Sequence, residues 1–257
     1  MKIWPIFKKE MRLYFTSPIA YAILLVFAVL MGLFFWLQFS AYSMASMQSA
    51  MNPMMGRELN LNDWVLRPLF FNTLSVILFL FLMPLITMRL FAEERRAGTL
   101  ELLLTLPVRD GAVLTGKYLA ALALYLVMLS FTVVYVIMMT IFVRLEWGPL
   151  VTLYLGLLLM GSAFLAVGTF ATTVTENQIV AALITGVVLL GLWIIGWPAD
   201  TVGGAWARVL THLSVPDHID NFAKGVLDTK DVIYFLNVTL IGLFLALKSL
   251  EARRWKG

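Results

Sequence analysis

Residues 88–117 read MRLFAEERRAGTLELLLTLPVRDGAVLTGK. This charged stretch separates two long apolar runs, at about 69–88 and 117–143. Each run is as long as a helix needs to cross the ~30 Å hydrocarbon core, about 20 residues. In lipid every backbone N–H and C=O must be satisfied within the segment, so such runs are helices. The stretch between them begins with the charged run Glu93-Glu94-Arg95-Arg96. Gly98 then breaks the chain and Thr99 can cap a new helix. In that helix Glu101 falls in the first turn, where a carboxylate suits the positive end of the helix dipole. Leu100, Leu102, Leu103, Leu104 and Leu106 give it an apolar surface, and Pro107 discourages continuation. The expected product is about two turns of helix, too short to span and too apolar to stay solvated. It must dock in a groove or on lipid. An ordinary charged loop explains the arginines but not the paired glutamates or the leucines. We read it as a lever that takes force from a soluble partner.

The rest of the chain agrees with a membrane fold. Of 257 residues, 61% are hydrophobic, against roughly 45–50% in ordinary soluble domains, and mean hydropathy is +0.90. The composition is that of an all-α polytopic membrane protein, forming one transmembrane domain over 1–257 with no room for a large soluble domain. Cysteine is absent, which excludes disulfides, thiolate nucleophiles and Cys-ligated metals. The formal charge of +4 points to lipid headgroups, not to nucleic acid.

Six spans are expected, at about 18–40, 69–88, 117–143, 149–173, 178–197 and 232–249. The fourth and fifth are joined by the tight turn Thr173–Asn177 and form a hairpin. With six spans, the N-terminal tail, the 89–117 loop, the 174–177 turn and the C-terminal tail share one side. That side carries thirteen of the nineteen Lys and Arg residues, so the positive-inside rule puts both termini in the cytoplasm. Residues 1–17 mix Lys8, Lys9 and Arg12 with Trp4, Phe7, Tyr14 and Phe15, and Pro5 suits a first helical turn. The pattern reads as an interfacial helix on the cytoplasmic leaflet. Two outer loops, 41–68 and 198–231, contain amphipathic stretches expected on the outer membrane surface. In the second, Ile219, Phe222, Ala223 and Val226 recur at helical spacing.

Several features carry two readings. Pro84, inside the second span, removes a backbone hydrogen bond and bends the axis. It serves either as a hinge for the lever or as fixed geometry. Gly161, Gly168 and Thr172, with Ser162 and Thr169 nearby, fit close helix packing or a polar pathway. Residues 111–117 match G-x-x-x-x-G-K, but Tyr118 stands where a nucleotide site needs Ser or Thr, and no strand precedes it. The better reading is a helix start capped by Asp110, with Lys117 at the headgroups. No charged residue lies deep in a span, which argues against an ion-coupled carrier. His212, His218, Asp217 and Asp220 bring metal-ligand types into the last outer loop, although interfacial histidines are more often plain surface residues.

Together, residues 91–108 with Gly116-Lys117, the opening Lys8-Lys9-Glu10 and Tyr14–Pro18, and the 218–234 region ending at Arg253-Arg254-Trp255 resemble the ABC-2 family of ABC transporter permeases. The likeness is nearest to gliding-motility (GldF-type) and nitrous-oxide-reductase-maturation permeases. The resemblance implies a bacterial inner-membrane permease with six spans, an N-terminal elbow helix at 1–17 and a coupling helix at about Thr99–Leu106. It implies no cofactor in this chain: ATP and Mg belong to separate cytoplasmic ATPase subunits. A second permease copy, and in some relatives a separate extracytoplasmic auxiliary protein, complete the assembly. Substrates do not transfer by resemblance. The reading is therefore a permease without enzymatic activity, exporting rather than importing. The rival is a membrane scaffold or enzyme of an extracytoplasmic maturation system.

Overall fold

The computed structural model describes residues 3–51, 61–99, 109–142 and 145–254. Among these residues the regular structure is helical. In chain order the helices are α1 (Ile3–Thr16), α2 (Pro18–Met51), α3 (Arg67–Phe71), α4 (Thr73–Thr87), α5 (Ala92–Arg96), α6 (Asp110–Phe142), α7 (Trp147–Val174), α8 (Gln178–Ile194), α9 (Ala199–Val202), α10 (Gly204–Leu213), α11 (Val215–Ala223) and α12 (Thr229–Arg254). Among the described residues five helical stretches are long and apolar enough to cross a bilayer: Pro18–Met51, Asn62–Thr87, Asp110–Ile141, Trp147–Val174 and Thr229–Ala252. The expected fifth span is the shorter apolar helix α8, with 17 residues. At 1.5 Å per residue it measures about 26 Å, a little less than the hydrocarbon thickness.

The second span is a composite. A wide π-helical turn, Asn62–Leu66, leads into α3, and the chain breaks at Asn72, whose backbone is extended. The Asn72 side chain accepts from the Ser75 N–H at 2.9 Å and so caps α4. Pro84 sits inside α4, and the helix continues past it. The stretch expected to lie on the outer surface around Leu61–Leu66 in fact joins the buried core through Leu61, Val65 and Leu66.

Helix α7 is the axis of the bundle. It packs against α4, α6, α8, α11 and α12, and its small residues allow those approaches. A Cβ on Gly161 would fall 2.2 Å from the Tyr125 ring, one on Gly168 2.2 Å from Thr87 Oγ1, and one on Gly156 2.6 Å from Phe222. Thr169 and Thr172 are fully buried and bond back to their own helix. Close packing is thus the role of this face. In lipid, where apolar burial does not drive helix association, such contacts carry the stability through dispersion.

Helix α11 corrects an expectation. Ile219, Phe222 and Ala223 share a stripe as anticipated, but they are buried in the bundle, not laid on its surface; Val226, beyond the helix end, is exposed. The glycine at 156 explains the change, since it opens α7 to the Phe222 ring.

Candidate coupling site

The charged stretch after α4 does not extend that helix rigidly. Residues 88–91 form turns, and α5 is a separate short helix. Its four charged residues divide into two pairs. Glu94 and Arg95 are half-buried, while Glu93 and Arg96 are exposed.

Glu94 points into a cluster the sequence reading missed. Lys117, two turns into α6, is almost fully buried, with a side chain only 2% exposed. Its Nζ donates to Glu10 Oε1 at 2.8 Å and lies 3.0 Å from Glu94 Oε2. Lys9 Nζ donates to Glu94 Oε1 at 2.8 Å. The Lys117 ammonium also sits 5.3 Å from the centre of the Phe91 ring. Two cations and two carboxylates from α1, α5 and α6 thus neutralise one another. Burial works against the Glu94 carboxylate, but Lys117 and Lys9 outweigh it and hold its pKa below the usual glutamate value. The Lys9 ammonium, held by Glu94 and Glu10 against the effect of burial, is raised.

Lys117 is therefore enclosed by protein and not free to reach lipid headgroups. Its backbone neighbour explains why: Gly116 has no side chain, so α1 crosses α6 with Ile6 and the Ile3 carbonyl about where a Cβ would be, at 2.8 and 3.2 Å. The Gly-Lys pair that imitates a phosphate-binding loop is a helix-crossing point followed by a buried cation. The signal was present in the sequence. Glu10 falls on the apolar stripe of α1 with Ile3, Ile6 and Tyr14, and Lys117 on the stripe Val113, Ala120, Leu124. A charge at core spacing predicts a partner at the same depth.

Arg95 ties α5 to the other end of the same face. Its guanidinium donates to Glu176 at 2.8 Å and to the Thr173 carbonyl at 3.3 Å, in the turn between α7 and α8. Upstream, Arg89 donates to Ser17 Oγ at 2.9 Å and pairs with Glu93 at 3.0 Å, while the Tyr14 hydroxyl donates to the Ile86 carbonyl at 2.9 Å. Gly98 has a positive φ of 69°, the left-handed turn that glycine adopts without strain. Thr99 Oγ1 donates back to the Glu94 carbonyl at 3.2 Å. Leu100, Glu101, Leu102, Leu103 and Leu104 lie outside the described residues. Pro84 is buried in α4, one turn before Thr87.

At the opposite end of the bundle the two histidine rings stack 6.3 Å apart but differ in burial. His212 is exposed and His218 is buried. His218 Nδ1 is 2.6 Å from Asp231 Oδ1, and its Nε2 is 3.2 Å from the His212 carbonyl oxygen. Asn221 donates to the other Asp231 oxygen at 2.7 Å, and Tyr234 stacks on His218 at 4.0 Å. Asp220 is taken by Arg67 and Lys224. Among the described residues no group of His, Asp and Glu is arranged to hold a metal ion. These residues fasten α11 to α12 and to the start of α3. His218 is not the surface residue expected: α11 is drawn inward and carries it along.

Residues 4–246 match the family described as ABC-2 family transporter protein. No curated protein matches the sequence.

Proposed function

The chain belongs to the ABC-2 family of transporter proteins, and from that premise we propose that it receives work from a cytoplasmic ATPase through the segment that follows α4. The family supplies the membrane component of an ABC transporter, and the long apolar helices make the chain an integral membrane protein. In our reading the ATP and Mg chemistry belongs to the partner. Two copies of the chain form the pathway, α8 is the sixth span, both termini face the cytoplasm, and the direction is export. The finer likeness to gliding-motility and nitrous-oxide-reductase-maturation permeases belongs to the same proposal, as does a separate extracytoplasmic auxiliary protein.

The observation that carries the reading is the division of α5. Glu94 and Arg95 turn inward, to α1 and α6 and to the α7–α8 turn, and Glu93 pairs back to Arg89, while Arg96 is left exposed. A segment anchored on one face and open on the other is suited to carry displacement. A push on it moves α1, α6 and the α7–α8 hairpin together, with Pro84 as the nearest weak point in α4. The test is ATP hydrolysis by the co-purified ATPase. Reversing the exposed charge that no cavity or ion pair uses among the described residues, Arg96→Glu, should abolish stimulation by the permease with an unchanged unfolding midpoint. Normal stimulation in that variant would contradict the assignment.

A further inference from the structure

A cavity of about 420 Å³ lies between α1, the start of α2, the end of α4 and α5. This is within the range of small-molecule sites, and its lining changes character along its length. By their order along α1, α2, α4 and α5, Lys9, Thr16, Ser17, Arg89 and Glu93 fall at one end, with Leu13 of α1 among them, and Ile19, Ala20, Ile23 and Leu85 at the other. The apolar end lies inside the spans. Ile23 is five residues into α2, about 8 Å deeper than its first residue. Ile19 and Leu85 are also exposed on the outside of the bundle, so a chain can enter sideways from the hydrocarbon. The order of polarity, charged at the helix ends and apolar one to two turns deeper, is that of one leaflet.

The donors at the charged end are not used up. Arg89 donates through Nη1 to Ser17 and through Nη2 to Glu93, and its Nε lies 3.0 Å from Glu93 Oε2; one N–H on each of Nη1 and Nη2 has no partner among the described residues. Lys9 gives one hydrogen bond to Glu94 and its side chain is 51% exposed. Lys117, by contrast, is enclosed by Glu10 and Glu94. The lining cations Lys9, Arg89 and Lys117 are matched by the carboxylates Glu10, Glu93 and Glu94. A site of zero net charge with free cationic donors beside a half-exposed carboxylate fits a zwitterion better than an anion.

We propose that this cavity binds one zwitterionic phospholipid. Its phosphodiester lies at Arg89 and Lys9, its ammonium group at Glu93, and an acyl chain along Ile19, Ala20, Ile23 and Leu85. The proposal rests on membrane insertion alone and is independent of ATPase coupling. The occupant would be wedged between the N-terminal helix and α5.

Native mass spectrometry of the full chain in detergent, stripped and then titrated with defined lipids, tests it. Phosphatidylethanolamine should give one adduct at a several-fold lower concentration than phosphatidylglycerol. Glycerophosphoethanolamine, the headgroup without chains, should not bind. Arg89→Met, which removes the guanidinium and leaves Lys9 as the only cationic phosphate donor named, and Ala20→Leu, which fills the apolar end, should each weaken the adduct at least fivefold. Should one fail to fold, the other, or Ser17→Ala with a smaller loss, carries the test. Equal binding of the two lipids, binding of the bare headgroup as tight as that of the lipid, or an adduct unchanged in the folded variants would each overturn the site.

Discussion

Both ends of the bundle are fastened by a short helix packed against the long ones, but by different chemistry. At one end α1 is tied to α5 and α6 by four charges, with Lys117 at their centre. At the other, α11 is tied to α12 by an imidazole, a carboxylate and a carboxamide, with a tyrosine ring stacked on the imidazole. The first arrangement concentrates three elements on one buried cation, so moving any one disturbs the rest. The second spreads its contacts over more groups and makes a local clasp. A site that transmits displacement needs the first kind of connection, and a site that only closes a structure can use the second.

The comparison is broken most directly at Lys117. Lys117→Met leaves Glu10 buried without its hydrogen-bond donor and Glu94 with Lys9 alone, and should cost about 3 kcal/mol, the low end for a broken buried pair. It should lower the thermal unfolding midpoint of the purified protein sharply. Adding Glu10→Gln and Glu94→Gln removes the stranded charges and should recover most of the midpoint without restoring ATPase stimulation. Recovery of both would mean that the cluster is structural only. At the other end, Asp231→Leu strands His218 and Asn221 and should cost about 2 kcal/mol. Stimulation of the partner's ATP hydrolysis should survive in that variant, and its loss would erase the distinction between the two ends.

How much of this was legible in the chain depends on what each feature rests on. Span positions rest on apolar run length, so α6, α7 and α12 fall close to where hydropathy puts them. The break at Asn72 did not show, because an asparagine capping α4 looks in sequence like any polar residue at a span end. The inward turn of α11 was hidden for a different reason. Its stripe is the same whether it faces lipid or protein, and only Gly156, 63 residues before Ile219 in the chain, makes room for it. The split of Glu93-Glu94-Arg95-Arg96 was half legible: the charges marked the site, but helix phase decides which face each takes. Lys117 was misread because it opens the expected 117–143 span, where a cation suits the headgroups, while its place on the stripe Val113–Leu124 went unused.

Smaller effects sharpen the contrast. Arg95→Ala removes a pair whose Glu176 partner is 66% exposed, so its ion-pair contribution should be below about 1 kcal/mol. A double-mutant cycle with Glu176→Ala, read by chemical unfolding, measures it. The pH dependence should be smaller still near neutrality. Because the folded pKa of Glu94 lies below the ordinary value of about 4.3, its contribution is fully present above that value. It is lost as pH falls through the folded pKa. Unfolding midpoints should therefore fall more steeply in the wild type than in Glu94→Gln below about pH 4.

Because the chain has no cysteine, a single Thr99→Cys substitution gives a unique probe at the edge of the lever. With the cytoplasmic ATPase present, a short bifunctional reagent should join Cys-substituted position 99 to that partner, and the yield should change when ATP binds. Labelling of the same position only from the extracytoplasmic side, with no ATPase adduct in either nucleotide state, would contradict the account.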